Sequence, residues 1–276
     1  EALLDLGITS RIEIVTFSDM HVGTGLGGSS SFSVALMKGL HAVHRQQLDR
    51  EAVARAACHL EIDLLREPIG KQDQYAAAYG GLNLLQFNPD GSVHVDPIAL
   101  TETERCNFEA HILLFFLGIT RTAAPILTEQ KANIPRRFDT LRRMAAATLE
   151  FRDRLLAGDF VGLGRMLHDG WVLKQSLAEG ISNPTIDAFY AVGRRAGAWG
   201  GKLLGAGGGG CVLFIAPPDA HAAIRSGMAT VAVTHGLPLF QEIPVRLTQT
   251  GVEVVVDNGN GMHADMMREA RRFDCV

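Results

Sequence analysis

Residues 23–36 read GTGLGGSSSFSVAL, four glycines and four serines between a β-like run and an apolar run. Three structures suit such a stretch: a flexible linker, a dinucleotide-binding turn, or a cradle for phosphates. A linker joins domains. This stretch instead joins an alternating pattern at Arg11–Phe17, RIEIVTF, to a helical pattern through Phe32, Leu36, Leu40 and Val43. Gly23, Gly25 and Gly28 satisfy G-x-G-x-x-G. A dinucleotide turn also needs a second parallel strand ending in an acid about 20 residues on. The sequence there, QQLDREAVARAACHLE, reads as a helix with Asp49 as its N-cap. The phosphate cradle fits best. Glycines let backbone N–H groups approach a polyanion without a Cβ in the way. Ser29, Ser30 and Ser31 stand at the helix start, where free N–H groups and the positive dipole end favour an anion. A serine hydroxyl there can hold Mg²⁺ or a phosphate oxygen. The loop lacks the GK[ST] ending of a Walker A motif.

The rest of the chain agrees with a small-ligand protein. Its 276 residues are 47% hydrophobic and 20% charged, enough for a substantial core. A net charge of −4 without a long basic run argues against nucleic acid. No apolar run approaches the roughly 20 residues that span a bilayer, so no membrane partner is expected. Cys58, Cys106, Cys211 and Cys275 form no CxxC pair, which points to a reduced, cytoplasmic setting.

Beyond the cradle, residues 49–64 read as a helix with the stripe Val53, Ala57, Leu60 and Leu64. A short helix, QYAAAY, ends at Gly80-Gly81. Strands are expected at 82–87 and 93–95 around Asn88-Pro89-Asp90-Gly91, and at His111–Leu117, HILLFFL. Residues 121–198 read as mostly helical, with breaks near Pro135, Gly158 and Ser182-Asn183-Pro184. A second glycine run, GAGGGG at 205–210, reads as helix, glycines, then the strand CVLFIA. A helix near 218–230 and strands around 241–247 and 252–256 close the pattern. Grouped strands indicate an α+β fold, with a boundary near residue 105.

Phosphoryl transfer needs a metal ligand and a group that orients or deprotonates the attacking hydroxyl. Glu61 lies about 40° from Ala57 and about 60° from Leu64 around the helix, at the edge of a buried stripe. A carboxylate there is paired, metal-bound, or a surface residue at the stripe's margin. Asp73 is either the N-cap of QYAAAY or the acceptor of a substrate proton, kept ionised by Lys71. The second glycine run packs against the first or makes a tight turn.

Three segments then converge on one family. GTGLGGSSS, GKQDQYAAAYGG and GGKLLGAGGGGC resemble, in order and spacing, the phosphate-binding, catalytic-aspartate and C-terminal glycine motifs of the GHMP kinases. EPIGKQDQYAAAYGGLN, followed by GITRTA and SNPTID, looks most like the D-glycero-D-manno-heptose 7-phosphate kinase branch, which feeds bacterial surface polysaccharides. The resemblance implies two domains, a ribosomal-S5-like half over 1–105 and a ferredoxin-like half over 106–276. It implies ATP phosphates on Gly23, Gly25, Leu26, Gly27, Gly28, Ser29, Ser30 and Ser31, and Mg²⁺ on Ser29 and Glu61. Asp73 would be the catalytic base, and Lys71, Gln72, Gly207 and Gly208 would meet the acceptor. A sugar phosphate also needs a cation for its distal phosphate. Arg121 is chosen over Lys131 and Lys174 because it follows a buried strand at a helix start. His21 stands where the family has proline, and Gly28 where it has the first serine of its pair. The family's segment before this motif is expected to be lacking. The implied reaction is ATP-dependent phosphorylation of the sugar's anomeric hydroxyl. The alternatives are another sugar or mevalonate-like alcohol as acceptor, or a non-catalytic nucleotide or sugar-phosphate sensor.

Overall fold

The computed structural model describes residues 1–9, 11–20, 23–120 and 122–255. In chain order the helices are α1 (Ala2–Asp5), α2 (Gly28–Val43), α3 (Arg50–Cys58), α4 (Gln72–Tyr79), α5 (Glu102–Glu109), α6 (Ala124–Leu156), α7 (Phe160–Gln175), α8 (Pro184–Arg195) and α9 (His221–Thr234). The strands are β1 (Asn83–Phe87), β2 (Val93–Pro97), β3 (Ile112–Phe116), β4 (Gly200–Leu203), β5 (Cys211–Ile215) and β6 (Gln241–Glu242). Helix starts follow local chemistry. The Asp49 carboxylate accepts from the Ala52 N–H at 2.8 Å, and Asn183 accepts from Ile186 N–H ahead of Pro184. Thr101 and Glu104 close a capping box on α5. Residue 105, the expected boundary, lies inside that helix.

Two sheets form, β1-β2 and an antiparallel β4-β5-β3-β6. Alternation along the larger sheet sets its two faces. Leu113, Phe115, Val212, Phe214 and Leu203 pack on one face with Ile186 and Phe189 of α8 and Ile224 and Met228 of α9. Leu114, Phe116 and Cys211 cover the other face, and Leu26 and Leu204 pack on it. One residue from each glycine-rich segment is therefore seated on the same sheet. A separate core of Val34, Val53, Ala54, Ala57, Cys58, Tyr75 and Ala78 joins α2, α3 and α4. Small residues dominate it, so the helices pack closely. The chain's later part then returns to this region: Leu247 N–H donates to Glu109 Oε1 at 2.7 Å, and Val252 packs on the α2–α4 core.

Several expectations do not hold. RIEIVTF is not a strand. Alternation alone cannot make one, and among the described residues no strand offers it a ladder; Phe17 is 93% exposed. In α2 the buried face runs through Val34, Met37 and Leu40, while Phe32 and Val43 are exposed. Pro135 does not break α6. A proline there removes a hydrogen bond, but Ile126, Leu141 and Met144 anchor the helix to the core on both sides of it. The second glycine run follows a strand, β4, rather than a helix, and so forms the turn of the β4–β5 hairpin. Of residues 241–247 only Gln241 and Glu242 pair in the regular ladder; the segment runs on beside β3, with Ile243 N–H donating to Leu114 O at 2.8 Å and Leu247 N–H to Glu109. Residues 252–255 are not a strand, and residue 256, His21, Arg121 and Cys275 lie outside the described residues.

Candidate active site

The first glycine run ends where α2 begins. Gly23, Gly25 and Gly27 all hold positive φ, between 71° and 80°, which only glycine adopts readily. Gly27 is the residue just before α2, and Gly28 is the first residue of the helix. Ser29 and Ser30 therefore lie in its first turn, where N–H groups lack partners within the helix, whereas Ser31 N–H donates to Gly27 O at 2.9 Å. Ser30 is buried and Ser29 lies open to solvent on one side.

Glu61 sits in a π-helical turn, His59–Leu64, that continues α3. The turn's wider hydrogen bonding, seen in Leu65 N–H donating to Leu60 O at 3.0 Å, shifts the helical phase. It brings Glu61 inward to 2% exposure. Both carboxylate oxygens accept hydrogen bonds there. Ser29 Oγ donates to Oε1 at 2.9 Å, and Gln74 Nε2 donates to Oε2 at 2.6 Å.

Asp73 lies in the first turn of α4, with Lys71 rather than Asp73 as the N-cap. Its side chain is open to solvent on one side, and the other side packs on the first glycine run. A Cβ at Gly27 would stand 3.3 Å from the Asp73 carboxyl. Loss of water around the carboxyl, and then the charge of Glu61, raise its pKa above the ordinary carboxylate value. Lys71 does not supply the expected counter-charge. Its ammonium donates to Gly91 O in the β1–β2 turn at 2.8 Å. Gln72, one residue before Asp73, is exposed at the start of α4.

The second glycine run closes over the first. A Cβ at Gly25 would lie 2.9 Å from Leu204 O, and one at Gly205 would lie 2.6 Å from the Gly25 Cα. Cys211 N–H donates to Thr24 O at 2.9 Å. The two runs interlock because neither carries side chains at the crossing. Gly207 and Gly208 are engaged with Ile181: Gly208 N–H donates to its carbonyl at 2.8 Å, and a Cβ at Gly207 would stand 2.7 Å from its Cα. Two side chains hold the run from behind. Gln130 of α6 donates to Ala206 O at 3.1 Å, and Lys174 of α7 donates to Gly205 O. In a trans peptide the next N–H points opposite to the carbonyl, so the Ala206 and Gly207 N–H groups face away from these helices. No sequence pattern marks Gln130, and Lys174, set aside above in favour of Arg121 as a phosphate cation, holds this backbone instead. Among the described residues Lys131 has no contact that places it at this site.

The structure thus brings Gly25, Gly27, Ser29, Glu61 and Asp73 together, with Gln74 as an unforeseen member. Among the described residues no cluster of three or more His, Cys, Asp or Glu could hold a metal ion. Ser29 Oγ beside a Glu61 oxygen, below a glycine cradle, nevertheless suits Mg²⁺. That ion commonly takes one or two protein oxygens and completes its shell with phosphates and water. Among the described residues no helix is long and apolar enough to cross a membrane.

Comparison with known proteins identifies the family. The chain matches the GHMP kinases N terminal domain over residues 1–81 and the GHMP kinases C terminal domain over residues 151–232. It is 31% identical over 205 residues to the D-glycero-alpha-D-manno-heptose 7-phosphate kinase of Campylobacter jejuni, covering 74% of this chain and 60% of that protein. It is 30% identical over 236 residues to the L-fucokinase/L-fucose-1-P guanylyltransferase of Bacteroides fragilis, covering 82% of this chain and 24% of that protein. Its fold matches that of a D-glycero-D-manno-heptose 1-phosphate kinase from Bacteriodes thetaiotaomicron with a TM-score of 0.65 and 23% identity, over 86% of this chain and 66% of that one. The chain therefore spans 60% of the heptose kinase's length and a smaller share of the fucokinase's. With both domains matched in order and the motifs meeting at one site, the chain belongs to the GHMP kinase family.

Proposed function

We propose that the chain catalyses ATP-dependent phosphorylation of a sugar hydroxyl, with D-glycero-D-manno-heptose 7-phosphate as acceptor and its anomeric hydroxyl as nucleophile. The observation that carries the reaction class is the Asp73 carboxyl beside Gly27, next to the Ser29–Glu61 pair. An acid, a phosphate cradle and an oxygen pair suited to a cation adjoin one another. The similarity to the Campylobacter jejuni heptose kinase supports the acceptor.

In this reading the first glycine run and the start of α2 hold the ATP phosphates through backbone N–H groups. Ser29 and Glu61 hold Mg²⁺, which when bound offsets phosphate charge. The sugar oxygen forms a bond to the γ-phosphorus, the bond from that phosphorus to the β–γ bridging oxygen breaks, and ADP leaves. Asp73 accepts the hydroxyl proton as the oxygen attacks. Its raised pKa suits that role, because a base acts best when its pKa lies nearer the working pH. The second glycine run, held by Gln130 and Lys174, covers the cradle and bounds the acceptor site with Gly207 and Gly208. Arg121 is the cation for the acceptor's own phosphate, and Lys71 and Gln72 line its approach. Residues 1–105 carry the ATP phosphates and residues 106–276 complete the site, with α5 at the junction. A cytoplasmic location fits an ATP-using enzyme of sugar phosphates.

ADP release with heptose 7-phosphate, L-fucose, galactose and mevalonate tests the acceptor. The expected result is the highest kcat/KM with heptose 7-phosphate. Turnover confined to another compound would move the acceptor and keep the reaction. ATP binding without turnover on any acceptor would replace the kinase with a nucleotide sensor.

A further inference from the structure

Gln74 follows Asp73 on α4 and has 0% exposure. Its side chain makes one contact of consequence, the 2.6 Å bond from Nε2 to Glu61 Oε2. Its Oε1 is buried and has no hydrogen-bond partner among the described residues. Reversing the amide does not cure this. An ionised carboxylate only accepts hydrogen bonds, so the amide nitrogen must face Glu61 and the oxygen must face inward. A buried acceptor without a donor costs about 1–3 kcal/mol. As core filling alone, Gln74 is a poor choice.

Its value lies in what it does to Glu61. The last torsion of a glutamate is broad, so an isolated carboxylate turns freely about it. Here Ser29 Oγ takes one oxygen and Gln74 Nε2 the other. The two bonds fix the plane of the carboxylate and direct Oε1 toward the Ser29 hydroxyl, which stands at the start of the α2 cradle. We propose that Gln74 is a positioning residue that orients Glu61 for the cation accompanying ATP. This rests on the kinase reading above. Gln74 touches neither nucleotide nor acceptor and acts only through Glu61. Partners that orient a ligating carboxylate typically change metal affinity by about 10–100-fold when removed.

The test is a double-mutant cycle read by calorimetry of ATP binding at graded Mg²⁺. It uses wild-type protein, Gln74→Met, Glu61→Ala and the pair together. Gln74→Glu serves as an isosteric second variant in case the methionine does not fit, and thermal unfolding establishes that each variant is folded. The expected result for Gln74→Met is a rise of about tenfold in the Mg²⁺ needed for half-maximal enhancement of ATP binding. Its ATP affinity in EDTA stays as in wild type. In the Glu61→Ala background the same substitution shifts Mg²⁺ dependence less than twofold, since its target is gone. Wild-type Mg²⁺ dependence in both folded Gln74 variants overturns the proposal, as does an equal shift with and without Glu61. Wild-type protein whose ATP binding ignores Mg²⁺ overturns the kinase reading and the proposal with it.

Discussion

The two glycine-rich runs share the pattern G-x-G-x-x-G and use it differently. The first, 23–28, leads into α2 and lies beside Glu61 and Asp73. Gly27 makes room for the Asp73 carboxyl. The second, 205–210, turns between β4 and β5 and is tied to α6 and α7 by Gln130 and Lys174. Its glycines permit contact, with Gly25 on one side and Ile181 on the other. The same letters thus mark the entry to a helix beside Glu61 and Asp73 in one place and the turn of a hairpin in the other. What separates them is the element that follows and the side chains that approach.

Substitutions can break this contrast, and the largest effect falls where the chemistry does. Asp73→Asn keeps the shape beside Gly27 and removes the proposed base, so ADP release is expected to fall about 10³-fold while calorimetry still shows ATP binding. Gly25→Ala strikes the crossing. Gly25 has φ +76° and a Cβ there would lie 2.9 Å from Leu204 O, so urea unfolding should show a loss of about 1–3 kcal/mol. Gly28 is the counterpart. It has no positive φ and a Cβ there meets nothing within 4 Å, so Gly28→Ser should stay within about 0.5 kcal/mol of wild type. Lys174→Met loosens the second run from behind. A drop of about 1 kcal/mol in unfolding free energy, with ATP affinity at the first run unchanged, is expected. Equal responses at Gly25 and Gly28 would erase the distinction, within the first run, between the crossing and the open helix start.

The smallest effect concerns pH. Asp73 has a folded-state pKa above its ordinary value, through burial and then Glu61. The native state therefore holds that proton more tightly than the unfolded chain. Its destabilising contribution is complete above the raised folded value. It is relieved as pH falls through that value, and is gone below the ordinary carboxylate range. Asp73→Asn should accordingly be slightly more stable than wild type at pH 7, with the difference vanishing in acid. Thermal unfolding of both proteins across pH checks the sign.

Much of this was legible along the chain. Asp49 announces α3, Asn183-Pro184 announces α8, and HILLFFL is apolar enough to be a buried strand, because each signal is local. The order of cradle, Asp73 and second glycine run also survives folding as one site. What was not legible depends on partners distant in sequence. RIEIVTF alternates without a strand to pair with among the described residues, and β4 hides in GGKL because Gly200 permits close approach to α7 and Gly201 to β5. Lys71 is near Asp73 in sequence, yet its ammonium goes to Gly91. Gln74 escaped notice because nothing in QDQYAAAY marks one glutamine as buried; only the π-helical turn that moves Glu61 inward creates its contact.

Single-turnover mixing of ATP labelled at the γ-phosphate with heptose 7-phosphate and Mg²⁺ tests the assembled site most directly. Direct transfer should place the label on the sugar, with ADP formed in equal amount and none of the label on the protein. Label released only as inorganic phosphate, or retained on the protein, would contradict a site in which Asp73 serves the acceptor hydroxyl.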